Sequence, residues 1–505
     1  MDSKDSLRKA CDLCYTRKIK CDGQEPRCSN CVMHARECTH AAASRRKAKP
    51  RAQRHSATQR AGSLRVETNE LKGSGGITRE AQLPNQQPAH DHDHAMSSMK
   101  LPTLHEAMAQ VGIFLKTVNS VLPLFHADSL LRMVGKCYAL LPRQRDPNVC
   151  AAINIVFALA SQHMPHSSAI EGVLHHQSEH TTTEYLNKAQ SVLATVMQGE
   201  IRLLNIQTLV GMVVVLQTAR DTAPALMLLS ATMRLRNLDL AQQRQRARVF
   251  WITYILDKDL SLRAQIPSSH LDDDIDLELP SSVPVTPDDS DNSAGIVMTA
   301  DGRASMNYFL VRVKLANIEG QTYRYLYSTR ALNQSPQDRI MVRQSISIAL
   351  DGWRASIPLE FGAAAVTMTA SNQPANWSFF CILHSSSLQC MMLLNRAQAW
   401  DEQWVLVHET RDFVRLFQEV WSRDCWLGWI AACPYSSAAM LLMVNNLYNI
   451  RHTDLHLDIE LVDAVMVWLD EISAEMASEG MKWFQDICAQ GVRTVKRKCA
   501  VYGLI

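Results

Sequence analysis

The sequence predicts an all-α protein in three parts: a small domain folded around metal ions, a flexible linker and a large multi-helix domain. Three observations support this prediction. Glycine (19) and proline (18) are scarce among 505 residues, so few positions interrupt a helix. Six of the 14 cysteines fall within residues 11–38. From Leu101 onward, apolar residues recur at three- and four-residue spacing, as they do on one face of a helix.

Charge is divided unevenly along the chain. Residues 1–60 carry 15 Lys and Arg against 6 Asp and Glu, whereas the remainder carries 37 against 44, so the net charge of +2 conceals a basic N-terminal part. Two parts with different partners are indicated. No apolar run approaches the 18 residues of a membrane helix, and Met1 leads directly into charged sequence. We therefore expect no membrane partner and a reducing compartment, where clustered cysteines bind metal rather than form disulfides.

The cysteine cluster consists of two triplets with the same internal spacing, 17 residues apart. Its members are Cys11, Cys14, Cys21, Cys28, Cys31 and Cys38. Six thiolates complete the tetrahedral shells of two zinc ions if two sulfurs are shared between the metals. The alternatives are an iron–sulfur cluster, which would need four cysteines, a disulfide knot, which a reducing compartment disfavours, and a metal store, which would carry far more cysteine. The six cysteines are thus the predicted ligands of two zinc ions.

This cluster resembles the fungal zinc binuclear cluster DNA-binding domain, over residues 8–40. The six ligands, the run from Arg17 to Gly23 and Pro26 fall where that family has them. The resemblance implies that Cys11 and Cys28 are the ligands shared by both metals. The chain departs from the family at Tyr15, where the family usually has Arg.

Basic residues in and around the cluster predict contacts with double-stranded DNA. A short helix between the second and third cysteines would present Arg17, Lys18 and Lys20 together, and such donors read guanine O6 and N7 in the major groove. The resemblance implies a C-G-G half-site read by Arg17 and Lys18. Which of the three side chains touches bases and which touches phosphate is left open. The other predicted DNA contacts flank the cluster: Arg8, Lys9, Arg45, Arg46 and Lys47.

Residues 41–100 are predicted to be a basic tail and a flexible linker. The tail from Ser44 to Arg60 holds seven basic residues and no acid, which favours salt-dependent, sequence-independent binding to DNA. Its Arg45-Arg46-Lys47 cluster also suits nuclear import. Leu64, Val66 and Leu71 make up only about one heptad, so a homodimer is conceivable but a coiled coil does not support it. The run from His90 to His94 is expected to be solvated.

Residues 101–505 are predicted to form a helical regulatory domain. Start signals for two helices are a capping box at Thr181–Glu184 and a cap with an N1 proline at Ser335-Pro336. The predicted helical segments are Ala151–Gln162, Leu203–Gln217, Ala223–Leu238, Arg246–Leu262, Trp377–Met392, Ser436–Tyr448 and Leu461–Met476. The eight scattered cysteines outside the cluster are expected to be small buried core residues.

Four elements of this region resemble the fungal transcription factor regulatory domain, or middle homology region. In chain order they are Pro123–His126, Leu203–Gln217, Arg246–Asp257 and Asp274–Pro280. The chain departs from that family at Ala264-Gln265-Ile266-Pro267, where Gly-Arg-Pro is usual. Within the third element, the aromatic residues Phe250, Trp251 and Tyr254 have helical spacing and are expected to pack in the core rather than line a ligand pocket.

Two acidic segments have alternative interpretations. The run from Asp272 to Asp276 fits the D-D-x-x-D pattern of all-α magnesium enzymes, but Asp274–Leu279 alternates polar and apolar residues like an extended chain, and a second metal motif is missing. We interpret it as a solvated loop and expect no enzyme activity. The segment from Asp454 to Glu479 is either an activation segment or, as we favour, an amphipathic helix docked on the domain.

Together these features predict a nuclear, sequence-specific DNA-binding transcription factor. It would regulate a fungal gene set, with a secondary-metabolite biosynthetic cluster as one candidate, and would contact the transcription machinery or co-regulators. The alternatives are a scaffold that binds nucleic acid without specificity and an all-α metal-dependent enzyme using Asp272–Asp276.

Removing zinc is expected to unfold residues 8–38. A segment of about 30 residues has too little apolar surface to fold alone, so metal binding supplies its folding free energy. In a peptide of residues 1–100, we expect a chelator to abolish the circular-dichroism signal of folded structure and added zinc to restore it. A spectrum that survives complete zinc removal would contradict a metal-folded domain.

Overall fold

A computed structural model gives the fold of the chain. It describes residues 11–12, 21, 38–39, 101–163, 171–198, 202–219, 221–232, 243–280, 295–369, 377–395, 403–421, 425–475 and 479–503. The chain divides into two compact units, residues 1–84 and 85–505. The predicted all-α class is confirmed, because the described part of the larger unit consists of helices and one two-stranded sheet.

The larger unit is a succession of helices joined by short connections. In chain order, the described helices are α1 (Leu104–Lys116), α2 (Val118–Val121), α3 (Ala127–Ala139), α4 (Pro147–Ser161), α5 (Glu171–Gln190), α6 (Leu193–Gln198), α7 (Leu203–Leu216), α8 (Ala223–Thr232), α9 (Gln243–Ala264), α10 (Tyr308–Thr322), α11 (Thr329–Leu332), α12 (Pro336–Ala355), α13 (Ala363–Thr369), α14 (Trp377–Asn395), α15 (Trp404–Trp421), α16 (Gly428–Tyr448), α17 (Leu455–Glu475) and α18 (Glu479–Val501). A π-helical turn, Tyr323–Tyr327, extends α10. Strands β1 (Ile296–Met298) and β2 (Ser305–Asn307) pair antiparallel with Val297 opposite Met306; the sequence did not predict this hairpin.

Of the two predicted helix starts, one is confirmed and one is wrong. Ser335 caps α12 by accepting a hydrogen bond from the backbone N–H of Asp338, with Pro336 at the first helical position. The Thr181–Glu184 motif lies inside α5 instead of at its start. Thr182 is buried there, and its hydroxyl and that of Ser161 on α4 form a hydrogen bond of 2.8 Å. Its polar side chain therefore serves the packing of two helices rather than a helix terminus.

The core is centred on helices that are apolar on all sides. In α4 every residue from Cys150 to Ser161 is buried, and in α7 every residue from Asn205 to Leu216 is buried. The two helices pack closely: a Cβ on Gly211 would lie 2.3 Å from Cγ2 of Ile155. A side chain at position 211 would therefore have to displace the Ile155 side chain from this contact.

Two helices, α14 and α16, are long and apolar enough to cross a membrane by length and composition alone. In α14, 94% of the apolar window is buried inside the domain, and in α16 the share is 56%. Both pack against each other and against further helices of the domain, as core helices do.

The scattered cysteines mostly occupy the core, as predicted. Buried ones are Cys137, Cys150, Cys381, Cys390, Cys488 and Cys499. Cys433 is an exception to the prediction, because it lies on an exposed face of α16.

The second acidic segment forms a docked helix, as we favoured. In α17, Val465 and Leu469 are fully buried in the core. Asp458 on the same helix is also buried, and its carboxylate lies 2.6 Å from Nε of Arg411 on α15. A buried acid that is paired with an arginine serves to dock the helix, so at least this part of the segment is structural.

Helix α9 ends in a turn that places a residue other than glycine in the left-handed region. Gln265 has φ +55°. Its N–H donates to the carbonyl of Leu262, and the N–H of Ile266 donates to that of Ser261, the pair of bonds that defines a Schellman motif. Glycine is the residue that adopts this conformation without cost. Gln265 lies in the segment where the sequence departs from the Gly-Arg-Pro that is usual in the fungal regulatory domain.

Replacing this residue tests the strain. We expect Gln265→Gly to raise the free energy of unfolding by about 0.5 kcal/mol, because relief of the left-handed strain exceeds the added entropy of the unfolded chain. Gln265→Val should lower it by about 1 kcal/mol or more, since a β-branched side chain resists positive φ. Urea denaturation measures both changes. The matched control is Ala264→Gly, one residue earlier, which should destabilise; equal effects of glycine at 264 and 265 would rule out strain at Gln265.

Candidate functional site

The described residues of the cysteine cluster come from its start, middle and end. Cys11 is fully buried, and Cys21 and Cys38 are half-buried. None of these three is joined in a disulfide to another described cysteine. The other predicted ligands, Cys14, Cys28 and Cys31, lie outside the described residues, as do all the predicted DNA contacts: Arg8, Lys9, Arg17, Lys18, Lys20, Arg45, Arg46 and Lys47.

Two hydrogen bonds bring the first and last cysteines of the cluster together. The N–H of Asp12 donates to the carbonyl of Thr39 at 2.7 Å, and the Thr39 hydroxyl donates to the Asp12 carboxylate at 3.0 Å. Because each bonded residue directly follows a cysteine, Cys11 and Cys38 are neighbours although 27 positions separate them in sequence. Thiolate is a ligand that zinc prefers, so the chemistry of the described cysteines fits the metal that the spacing predicts.

In the larger unit, the segment that follows α9 is tied to that helix. We call residues 268–279 the strap. The Asp257 carboxylate accepts hydrogen bonds from the N–H groups of Ser269 and His270, both at 2.9 Å, and lies 2.9 Å from Nδ1 of His270. Burial by itself would raise the pKa of Asp257, but these donors outweigh it and hold the pKa below its ordinary value. Asp257 is therefore ionised and fixes the start of the strap.

Lys258 makes a second connection to the strap. Its side chain is only 3% exposed, and its ammonium lies 2.7 Å from the His270 carbonyl, 3.0 Å from the Ser268 hydroxyl and 3.0 Å from the Asp272 carboxylate. The Tyr254 hydroxyl donates to the same carboxylate at 2.7 Å. Three acceptors around a buried ammonium offset the cost of its burial, so the core accommodates Lys258.

The acidic run is mostly solvated, as the sequence suggested, and Asp272 at its start is the exception. Asp272 binds Lys258, and the Asp273 carboxylate lies 3.0 Å from Arg324 in the π-helical turn. Asp274 and Asp276 are exposed. Among the described residues, no group of three or more His, Cys, Asp or Glu is placed to hold a metal ion. The first two acids are engaged by cations of the chain itself.

A third buried charge network lies where α9 meets α10 and α14. Asp259 lies 3.1 Å from Arg263 and accepts a hydrogen bond from the Ser386 hydroxyl at 3.3 Å. Nearby, Arg312 and Glu319 of α10 are 3.3 Å apart and almost fully buried. Burial raises the pKa of Glu319 to about 7, although Arg312 acts in the opposite direction. Each of the two buried acids, Asp259 on α9 and Glu319 on α10, thus has an arginine partner.

A cavity of about 570 Å³ lies under the strap, between α9, α10 and α12. Trp251 and Tyr254 form its α9 wall; both are buried, as predicted, but they also face this cavity. The strap contributes Ile275, Leu277 and Leu279, the apolar members of the alternating pattern. Leu277 is 40% exposed and Leu279 is 53% exposed. The sequence pattern thus indicated an extended chain correctly, but it could not reveal the cavity that this apolar face covers.

Comparison with known protein families identifies both parts of the chain. Residues 9–48 match the fungal Zn(2)-Cys(6) binuclear cluster domain, and residues 111–355 match the fungal specific transcription factor domain. The chain belongs to the fungal zinc binuclear cluster transcription factors. This family membership implies zinc binding, DNA binding and a nuclear location, and the matched families are transcription factors rather than enzymes.

Curated relatives of this transcription factor are themselves transcription regulators. The ABC-transporter-regulating transcription factor of Aspergillus fumigatus is 26% identical over 434 residues, covering 78% of this chain and 47% of the relative. Its counterpart in Aspergillus oryzae is 26% identical over 428 residues, covering 77% and 46%. The Fusaridione A cluster transcription factor of Fusarium heterosporum is 24% identical over 266 residues, covering 50% and 48%. The chain thus spans about half the length of these relatives.

Substitution of Asp257 in this transcription factor tests the connection between α9 and the strap. We expect Asp257→Ala to lower the free energy of unfolding by about 3 kcal/mol, because three buried donors lose their acceptor. The exposed Asp276→Ala is the matched control and should change it by less than about 0.5 kcal/mol.

The effect should also depend on pH. Because the folded-state pKa of Asp257 is depressed, its contribution is complete above the ordinary aspartate value of 3.8 and is lost as the pH falls through the folded-state value. The difference between wild type and Asp257→Ala should therefore shrink in acid. Denaturation curves across this range measure it, and a difference that grows in acid would show that Asp257 is not held ionised.

Proposed function

We propose that this chain is a nuclear, sequence-specific transcription factor that reads C-G-G half-sites through a cluster of two zinc ions. The repeated cysteine spacing within the matched cluster domain is the observation that carries the proposal. The ligands would be Cys11, Cys14, Cys21, Cys28, Cys31 and Cys38. When bound, zinc supplies tetrahedral centres that hold the two halves of the cluster together. The pairing of Asp12 with Thr39 supports this assignment, since it closes the cluster at its two ends.

The proposed division of labour follows from charge and position. Arg17, Lys18 and Lys20, between two ligands, would read base edges and adjacent phosphates. Arg8, Lys9 and the cluster Arg45-Arg46-Lys47 would bind the phosphate backbone. In this proposal the reader spans residues 8–40, the tail and linker span 41–100, and the regulatory domain spans 101–505.

The regulated genes are proposed by analogy with the relatives. A secondary-metabolite biosynthetic cluster is supported by the Fusarium relative, whose name places it in the fusaridione A cluster. The names of the two Aspergillus relatives, which cover more of this chain, favour transporter genes as the second candidate. Mapping the sites occupied by the protein in its fungal host distinguishes these two gene sets.

A second function, non-specific binding of nucleic acid by an interaction scaffold, is favoured by the acid-free basic tail from Ser44 to Arg60. Such a tail binds phosphates without regard to sequence. Selection of binding sites separates the two functions, because only sequence-specific binding enriches a motif.

Selection from random-sequence DNA is the test. We expect the zinc-loaded chain to enrich C-G-G half-sites and a chelator to abolish the enrichment. Lys18→Ala should remove enrichment at unchanged zinc content, since a good base contact is worth about 1–3 kcal/mol of discrimination. The matched control is Lys49→Ala in the tail, which should weaken binding to all sequences alike. It should also reduce the slope of log K against log salt concentration by about one unit. If zinc-loaded protein enriches no motif, sequence-specific binding by the cluster is wrong, and non-specific binding by a scaffold is the function that remains.

A further inference from the structure

The cavity under the strap has the size of a ligand site. Its volume of about 570 Å³ falls within the roughly 300–1,000 Å³ typical of pockets for small molecules. By comparison, two further cavities in the described part of the chain hold about 30 and 10 Å³, enough for little more than water. Small residues line the cavity on the side of α12: Ala349 and Gly352 in the helix, and Ser356 directly after it.

The walls favour a flat apolar body. Trp251 and Trp353 face the cavity from opposite helices, and the polar atoms of both indoles are already engaged. Trp251 Nε1 donates to the carbonyl of Glu278 at 3.0 Å, and Trp353 Nε1 donates to that of Val311 at 2.9 Å. The parts of the two rings that reach the cavity are therefore apolar. An occupant would also cover the exposed apolar atoms of Leu277 and Leu279.

The charges at the cavity favour an anion. Asp272, the acid in its wall, is neutralised by Lys258 at 3.0 Å and accepts the Tyr254 hydroxyl at 2.7 Å. Burial raises the pKa of Tyr254 far above its ordinary value, so its hydroxyl keeps the proton that it donates. Lys314 of α10 is exposed at the cavity and makes no ion pair with any described residue. The exposed strap acids Asp274, Asp276 and Glu278 are not among the lining residues, so the described lining carries one uncompensated positive charge.

We propose that this cavity binds a small organic anion, with a flat apolar body against Trp251 and Trp353 and its negative group at Lys314. Binding would join the strap to α10 and α12 through the occupant. The proposal does not depend on the function proposed for the zinc cluster, because none of these residues belongs to it.

Binding of 2-naphthoate, a flat two-ring carboxylate, tests the site by calorimetric titration of the zinc-loaded full chain. We expect saturable one-to-one binding. Gly352→Leu should abolish it, because a Cβ at this position meets no atom within 4 Å and the larger side chain would occupy the cavity. The matched control is Gly135→Leu on α3, where a Cβ is equally unobstructed and the cavity is remote. Leucine favours helix at both positions, so both variants should fold.

The role of Lys314 is tested with a charged and a neutral probe. Lys314→Met should weaken 2-naphthoate about three- to tenfold, the range for one exposed or half-exposed ionic contact, and leave the neutral 2-naphthalenemethanol unchanged. Equal weakening of both probes would overturn the charge assignment. Absence of 2-naphthoate binding to folded wild type, or full binding to Gly352→Leu, would overturn the site. Thermal melting confirms folding, and DNA binding by the same samples reports separately on the proposed function.

Discussion

Three consecutive charged residues, Asp257, Lys258 and Asp259, are buried within α9, and the arrangement around this helix depends on how their charges are compensated. Each is at most 4% exposed. A buried charge is tolerated only with oppositely charged partners or hydrogen bonds. Because successive side chains on a helix point about 100° apart, the three charges need partners on different sides. The strap supplies them for Asp257 and Lys258, and Arg263 and Ser386 supply them for Asp259.

This requirement positions the strap and thereby the cavity. The chain leaves α9 through the left-handed turn at Gln265, returns to Asp257 and Lys258, and then crosses over the space between α10 and α12. The bond from Trp251 to the Glu278 carbonyl holds its far end. Close packing completes the arrangement, since a Cβ on Gly320 of α10 would lie 2.8 Å from Cδ of Lys258. The apolar face of the strap is thus held above a cavity that the described side chains do not fill.

The two units of this transcription factor fold by different means. The larger unit buries α4 and α7 on all sides in one extensive apolar core, so the hydrophobic effect dominates its stability. The cysteine cluster is too short for such a core, and its proposed metal–thiolate bonds would supply the folding free energy instead. Its stability should therefore respond to chelation and pH, whereas that of the larger unit should respond chiefly to changes in core packing.

The sequence by itself determined the fold class, the cysteine-cluster domain and most helical segments, because cysteine spacing and apolar periodicity are properties of neighbouring residues. A local signal misled at the Thr181–Glu184 motif, which lies inside α5, where Thr182 bonds Ser161 on α4. In the acidic run, likewise, the local sequence could not reveal the contact between Asp272 and Lys258. Only the tertiary structure decided the compensation of the α9 charges and the cavity under the strap. Both require contacts between residues far apart in sequence, as between the strap and Gly352, which no local pattern encodes.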